Sequence, residues 1–135
     1  MANALFDSGR QGFLTGTVDW DTNTFALYLI DHGTDTPNVS TDDNVDDLLV
    51  GARIGPKGTM TASAPGGGVA DATDVTLATV SGASAESINI FKDSGVESTS
   101  TLVAFIDTAT GLPVTPNGGN INIVWDNGAN RIFKL

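Results

Sequence analysis

Apolar side chains in this chain recur at every second position, in short runs, and that period decides the fold class before any other feature does. Phe25, Leu27 and Leu29 alternate with Ala26, Tyr28 and Ile30, Val75 and Leu77 with Thr76 and Ala78, and Ile88 and Ile90 with Asn89 and Phe91. Leu102, Ala104 and Ile106 alternate with Val103 and Phe105, and Ile121, Ile123 and Trp125 with Asn122 and Val124. Successive side chains of a strand point to opposite faces, so period two is the mark of strand rather than helix. The runs are separated by turn-forming stretches such as "SGASAE", "KDSGVESTS" and "TATGLPVTPNGG". Many short strands joined in this way predict a mainly β chain, a single-domain β-sandwich or jelly-roll-like barrel. The run Phe25 to Ile30 is apolar on both faces, which predicts a strand covered on both sides. "WDNGANR" predicts a tight hairpin, because Asn127 and Gly128 tolerate the positive φ that such a turn demands.

Three segments depart from this pattern. Leu5, Phe6, Phe13 and Leu14 among polar positions predict a short helical arm over residues 1–14, although Gly9 and Gly12 each weaken a helix by up to about 1 kcal/mol relative to Ala. Ser40 or Thr41 as N-cap, with Asp42 and Asp43 in the first turn, predicts one short helix near 41–48, ended by Gly51. From Gly55 to Gly68 the sequence reads "GPKGTMTASAPGGG". It predicts a flexible margin at 55–68 with a short edge strand at Thr59 to Ala64. The 135 residues suffice for one core and are too few for two ordinary domains, so residues 15–135 are expected to form one β domain behind the arm.

Charge limits the partners. Six Lys and Arg face sixteen Asp and Glu, a net charge of −10. Binding a phosphate backbone needs Lys and Arg to displace counterions, so nucleic acid is not an expected partner. No apolar run approaches the roughly 20 residues that cross a bilayer, and no membrane partner is expected. The opening "MANALFDSGRQGFL" lacks the basic start and long apolar middle of a secretory signal, which predicts synthesis in a cytoplasm. The triplet Asn38-Val39-Ser40 is accordingly read as chance. With no cysteine, neither a disulfide framework nor a thiolate metal site can form.

Candidate chemistry is sparse. His32, the single histidine, would have to serve as sole general base, and no G-x-S-x-G elbow or cysteine nucleophile accompanies it. "DWDTN" spaces Asp19, Asp21 and Asn23 like the start of a calcium loop, but the sixth position lacks Gly and Ile30 stands where the closing Glu belongs. The run Asp42, Asp43, Asp46, Asp47 fits a helix N-terminus better than a cation site. "GPKG" and "APGGG" lack the spacing that encloses phosphates. No catalytic residue, cofactor or metal is therefore assigned, and the chain is not expected to be an enzyme. Trp20, Trp125, Tyr28 and Phe91 offer one alternative, a sugar-stacking platform of a tail- or fibre-associated module for host surface glycans, against the plainer reading that they fill a core.

The opening "MANALFDSGRQGFLTGTVDWDTNTFALYLID", the middle "GARI", the segment "VADATDVTLATVSGASAESINIFKD" and the ending "LVAFIDTATGLPVTPNGGNINIVWDNGANRIFKL" resemble a family of small structural proteins encoded by tailed bacteriophages and prophages. The likeness spans nearly the whole chain and is strongest at its two ends, while residues 33 to 68 are the least distinctive. The resemblance implies a virion component, and among these a capsid cement or decoration protein with a jelly-roll-like fold. Such a protein would sit on the outer capsid surface, between subunits of the major capsid protein, and would associate with itself as a dimer or trimer. The candidate contact residues are Leu5, Phe6 and Phe13 of the arm, and Leu112, Val114 and Pro116 of the Pro/Gly-rich connection.

Overall fold

The run with two apolar faces is the centre of the fold. In the computed structural model, which describes residues 2–135, it forms β2 (Phe25–Ile30), flanked by β3 (Arg53–Met60) and β7 (Ser87–Lys92). With β8 (Leu102–Ile106) and β1 (Ala4–Leu5) these make a five-stranded antiparallel sheet of order β1-β8-β7-β2-β3. Every residue of β2 pairs with β7, from Phe25 opposite Lys92 to Ile30 opposite Ser87. The alternation then divides two cores. Phe25, Leu27 and Leu29 join Ile54, Met60, Ile88 and Ile90 on one face, and Ala26 and Ile30 join Phe91, Leu102 and Phe105 on the other. Each such large side chain, fully buried, contributes about 1.5–3 kcal/mol.

Different material covers the two faces. A second β layer closes the first core: a three-stranded sheet of order β10 (Phe133–Lys134), β5 (Val69–Ala72), β4 (Ala62–Gly66), and the pair β6 (Val75–Leu77) with β9 (Ile121–Ile123). Ala70, Ala72, Val75, Leu77, Ile123 and Trp125 face inward from it. The other face is covered by the stretch from 31 to 52, which contributes Val39, Val45, Leu48 and Ala52. The chain is thus mainly β, as its period requires.

Four local expectations are corrected. Among the described residues the N-terminal segment is helical only from Asp7, not over the whole of 1–14. β1 pairs with β8, Ala4 opposite Phe105 and Leu5 opposite Ala104, and the helix α1 (Asp7–Thr15) begins only after it. α1 lies against β8 on its glycines: Gly9 and Gly12 are buried, and a Cβ on Gly9 would stand 2.7 Å from the Cα of Val103. Gly16, at φ 76°, ends the helix with its N–H on the Gly12 carbonyl.

The helix near 41–48 is replaced by two 3-10 turns, Val45–Asp47 and Val50–Ala52. The acids here bond to nearby amides in competition with a helix. Asp42 accepts the Asn38 N–H at 2.7 Å, and Asp47 accepts those of Asp43 and Asn44 at 2.8 and 3.2 Å. Asn44, not Ser40 or Thr41, is the cap.

The segment 55–68 is not a loose margin but most of two strands, β3 and β4. Its glycines answer to close approach: a Cβ on Gly58 would lie 2.8 Å from Leu77 and 2.9 Å from Val75. Gly67 and Gly68, at φ 64° and 76°, form the two-residue turn between Gly66 and Val69. β3 continues through Thr61 into β4, and β5 through Thr73 and Asp74 into β6, with the Thr73 N–H on the Thr61 carbonyl at 3.0 Å. One arm of this hairpin, β3–β4, therefore passes from the five-stranded sheet into the second layer, while the other, β5–β6, lies wholly in the second layer.

"WDNGANR" is not a hairpin. β9 pairs with β6 and β10 with β5, so residues 124 to 132 cross from one sheet to another. Trp125 draws the chain across: its backbone N–H bonds Asp74 at 2.9 Å and its indole N–H bonds the Thr73 carbonyl at 3.1 Å. The positive φ in this stretch falls at Arg131, 47°, and not at Asn127 or Gly128.

Candidate functional site

The six predicted contact residues do not share one surface. Leu112 and Val114 line an open cleft of about 640 Å³ between the two β layers. Its apolar walls include Leu29, Ile88 and Ile106 from the five-stranded sheet and Ile121, Ile123, Trp125 and Ile132 from the opposite layer, with Asn3, Asp126 and Arg131 as polar lining. The connection carrying Leu112 and Val114 is pinned in place: Ala85 and Val114 exchange backbone hydrogen bonds of 2.9 Å, and Gly118 and Gly119 bond Val80 at 2.8 and 2.9 Å. The Leu112–Pro113 peptide is cis. Pro116 is half-buried and lies outside the cleft lining.

Phe13 is half-buried, with its ring 6.0 Å from that of Phe133, and lines a separate apolar pocket of about 290 Å³. Leu5 is half-buried against the first core. Phe6 is corrected outright: it is 0% exposed and meets Phe105 edge to face at 6.4 Å. It belongs to the second core and can touch no partner.

Sequence reasoning did not single out Arg53, the most heavily used polar side chain in the structure. Its guanidinium donates to the carbonyls of Val45 at 3.0 Å and Leu48 at 2.8 Å, and forks onto Glu97 at 2.6 and 3.1 Å. It also lies over the Tyr28 ring, 5.0 Å from the centroid. This ties the first 3-10 turn and the 97–99 turn to the sheet. The one clue in the sequence was its rarity, an arginine in a chain with six basic residues.

Other candidates resolve into structural roles. His32 Nε2 lies 2.8 Å from Ser87 Oγ, which also accepts from Asn89 Nδ2 at 2.8 Å. Ser87 and Asn89 are both 0% exposed, so no substrate can reach that hydroxyl, and the His32 ring is stacked on Phe105. Asp19 and Asn23 fold onto their own loop: Asp19 accepts the Asp21 N–H at 3.0 Å and Asn23 accepts the Asp19 N–H at 2.8 Å. Among the described residues no group of three or more His, Asp or Glu is arranged to hold a metal, and no helix is long and apolar enough to cross a membrane. The aromatic platform is not formed. Trp20 is 5%, Trp125 7% and Phe91 2% exposed, and Tyr28 is stacked on Phe91 at 5.5 Å.

Charge is distributed unevenly. Arg10, Arg53, Lys57 and Arg131 are matched to Asp7, Glu97, Asp93 and Asp71, and Lys92 caps the Thr17 carbonyl at 2.6 Å. Five of the six basic side chains are thus engaged within the molecule, whereas residues 31 to 47 hold six Asp and neither Lys nor Arg.

These acids set a pH dependence. The amides of Asp43 and Asn44 hold the Asp47 carboxyl below its ordinary 3.8, and Arg53 holds Glu97 below 4.5. Burial pushes Asp42 up, with the charges of Asp47 and Asp35 adding to it. A lowered carboxyl stabilises the fold above its unfolded pKa, and that stability is lost as pH falls through the folded value. A raised one works in the opposite sense, so ionised Asp42 costs stability. Thermal unfolding across pH should show a midpoint that falls below about pH 4, a shallower fall for Asp47→Asn, and no loss at neutral pH for Asp42→Asn.

Comparison with known proteins assigns no family: no family model matches the chain, and no curated protein is significantly similar to it.

Proposed function

We propose that this chain is a structural protein of a tailed bacteriophage particle, a cement that binds the outer capsid surface between major capsid subunits and stabilises the shell. The observation that carries the reading is the cleft rimmed by Leu112 and Val114, an open contact site whose lining mixes apolar side chains with polar ones. Interfaces use apolar centres with polar rims, and here Asn3, Asp126 and Arg131 supply polar lining beside the isoleucines. The acidic stretch 31–47 suits an outward face better than one turned toward packaged DNA. The resemblance to phage structural proteins supports the same reading. The glycan-binding alternative rested on four aromatics, and three of them are buried.

The test is reconstitution. Phage particles lacking the protein are mixed with purified chain, bound copies per particle are counted, and DNA release on heating is followed. The expected result is binding in fixed ratio to capsid subunits and release at a higher temperature. Val124→Asp, at a cleft residue that is 67% exposed, should retain its unfolding midpoint and bind at least about tenfold more weakly, whereas Leu112→Asp should lose stability as well, because Leu112 packs against the first core. No binding to shells, or a few copies confined to the tail, would overturn the reading.

A further inference from the structure

We infer that the pocket between α1, β10 and the β4–β5 hairpin binds a small quaternary ammonium cation of the choline type. The inference concerns the isolated protein and does not rest on the shell reading.

The lining selects its ligand by what it lacks. Phe13, Trp20 and Phe133 join Pro65 and Val69 around a space of about 290 Å³, and the only charged side chain in the lining is Asp19. The only side-chain donor there, the Trp20 indole N–H, is already bonded to the Asp71 carbonyl at 2.9 Å. A sugar or an amide would leave its polar groups unpaired against such walls, which is unfavourable. A primary ammonium brings three donors to a single carboxylate. A quaternary ammonium carries its charge without any N–H, so it needs neither donor nor acceptor from the pocket. At about 290 Å³ the space is at the small end of ligand sites, which run from about 300 to 1,000 Å³. It suits a headgroup and not a larger molecule.

Shape and charge agree with that choice. Phe133 meets Trp20 at 81° with centroids 5.3 Å apart, and meets Phe13 at 60° and 6.0 Å. Rings so inclined form a corner rather than a slot: a flat ligand ring stacks on one of them only, whereas a near-spherical trimethylammonium group can touch all three. A cation within about 6 Å of an aromatic centroid is attracted to the ring, most strongly to Trp. The corner is firm, because Trp20 packs on Phe25 at 4.3 Å within the first core. Asp19 supplies the counter-charge. It is exposed, its Oδ1 accepts the Asp21 N–H at 3.0 Å, and it forms no ion pair among the described residues. A neutral apolar ligand would strip water from that carboxylate and offer no charge in exchange, so the rim favours a cation over a hydrocarbon. Lys134 does not oppose it, since it is absent from the lining and alternation along β10 turns it away from the face that Phe133 presents.

Titration of the isotope-labelled full chain with choline, followed by NMR, tests this. The control ligand is the neutral alcohol in which a tert-butyl group replaces trimethylammonium, the same shape without the charge. The chain has two tryptophans, so two indole N–H signals report. The expected result is a saturable shift of the Trp20 signal, with that of Trp125, which lines the other cleft, unmoved. Choline should bind at least about tenfold more tightly than the alcohol, and more tightly than glycine betaine, whose own carboxylate meets Asp19. Asp19→Asn keeps an acceptor for the Asp21 N–H and removes only the charge, so it should weaken choline about two- to fivefold and leave the alcohol unchanged. Phe133→Leu keeps apolar bulk but not the ring, and should narrow the gap between choline and the alcohol. The comparison of the two ligands on the wild-type chain needs no variant, so it decides the matter even where a variant fails to fold. No saturable binding, equal binding of choline and the alcohol, a shift at Trp125 alone, or undiminished choline binding by Asp19→Asn would each overturn the proposal. Retention on phosphatidylcholine vesicles without binding of free choline would overturn the assignment to a free cation and give the pocket to a lipid headgroup.

Discussion

Arg53→Ala is expected to lower stability by about 3 kcal/mol, the largest loss for any polar residue of this chain. The side chain of Arg53 is only 8% exposed. Removing it strands the Leu48 carbonyl beneath the loop, whereas the Val45 carbonyl keeps the Leu48 N–H at 3.0 Å, and a buried acceptor left without a donor costs about 1–3 kcal/mol. Glu97, half-exposed, can return to water, so its share is small. Over a chain of this size such a loss should lower the thermal midpoint by about 10 °C. Lys at this position retains the charge but has no planar fork to span two carbonyls and a carboxylate, so it should recover less than half the loss. Glu97→Gln should cost under about 1 kcal/mol. Equal effects of Arg53→Ala and Glu97→Gln would show that the ion pair, and not the carbonyl clamp, holds the turns.

Gly9→Ala sets two effects of opposite sign against each other. Helix propensity alone predicts a gain of about 1 kcal/mol. The new Cβ, however, would stand 2.7 and 2.8 Å from the Cα and carbonyl oxygen of Val103, atoms of a central strand that cannot rotate aside. Overpacking of this kind typically costs about 1–3 kcal/mol, so the net expectation is a clear loss by chemical denaturation. Gly12→Ala should also destabilise, because its Cβ would stand 2.3 Å from a methyl and 3.1 Å from the Cβ of Val18, a buried β-branched side chain with little freedom to turn aside. A stabilised Gly9→Ala variant would mean that α1 does not lie on β8.

Those two glycines also show how far the sequence could be read. Period two located β2, β6, β7, β8 and β9, because alternation is local and each run carries its own record of which face is buried. What failed was everything that glycine or acid could do in two ways. Gly9 and Gly12 read as weak points of a helix, yet they are its contact face. Gly58 read as looseness, yet it lets β3 lie close to β6. Asp42 and Asp47 read as helix starters, yet they bond amides of their own loop. Each choice depends on what lies opposite in space, over separations such as Gly9 to Val103 that no local pattern encodes. The contact residues were legible to the same extent: Leu112 and Val114 belong to a cleft and Phe13 to a pocket, but Phe6 is core. Short apolar residues beside a strand do not reveal whether they cover it or project from it.

The continuous run that leaves the five-stranded sheet as β3 and enters the second layer as β4 has a mechanical consequence. Two sheets held only by interdigitated side chains can shear past one another at modest cost, since dispersion contacts re-form at each step. Here the same backbone belongs to both, so force applied to one layer passes into the other through covalent bonds and ladder hydrogen bonds loaded together. Pulling on either layer therefore loads the other through β3 and β4.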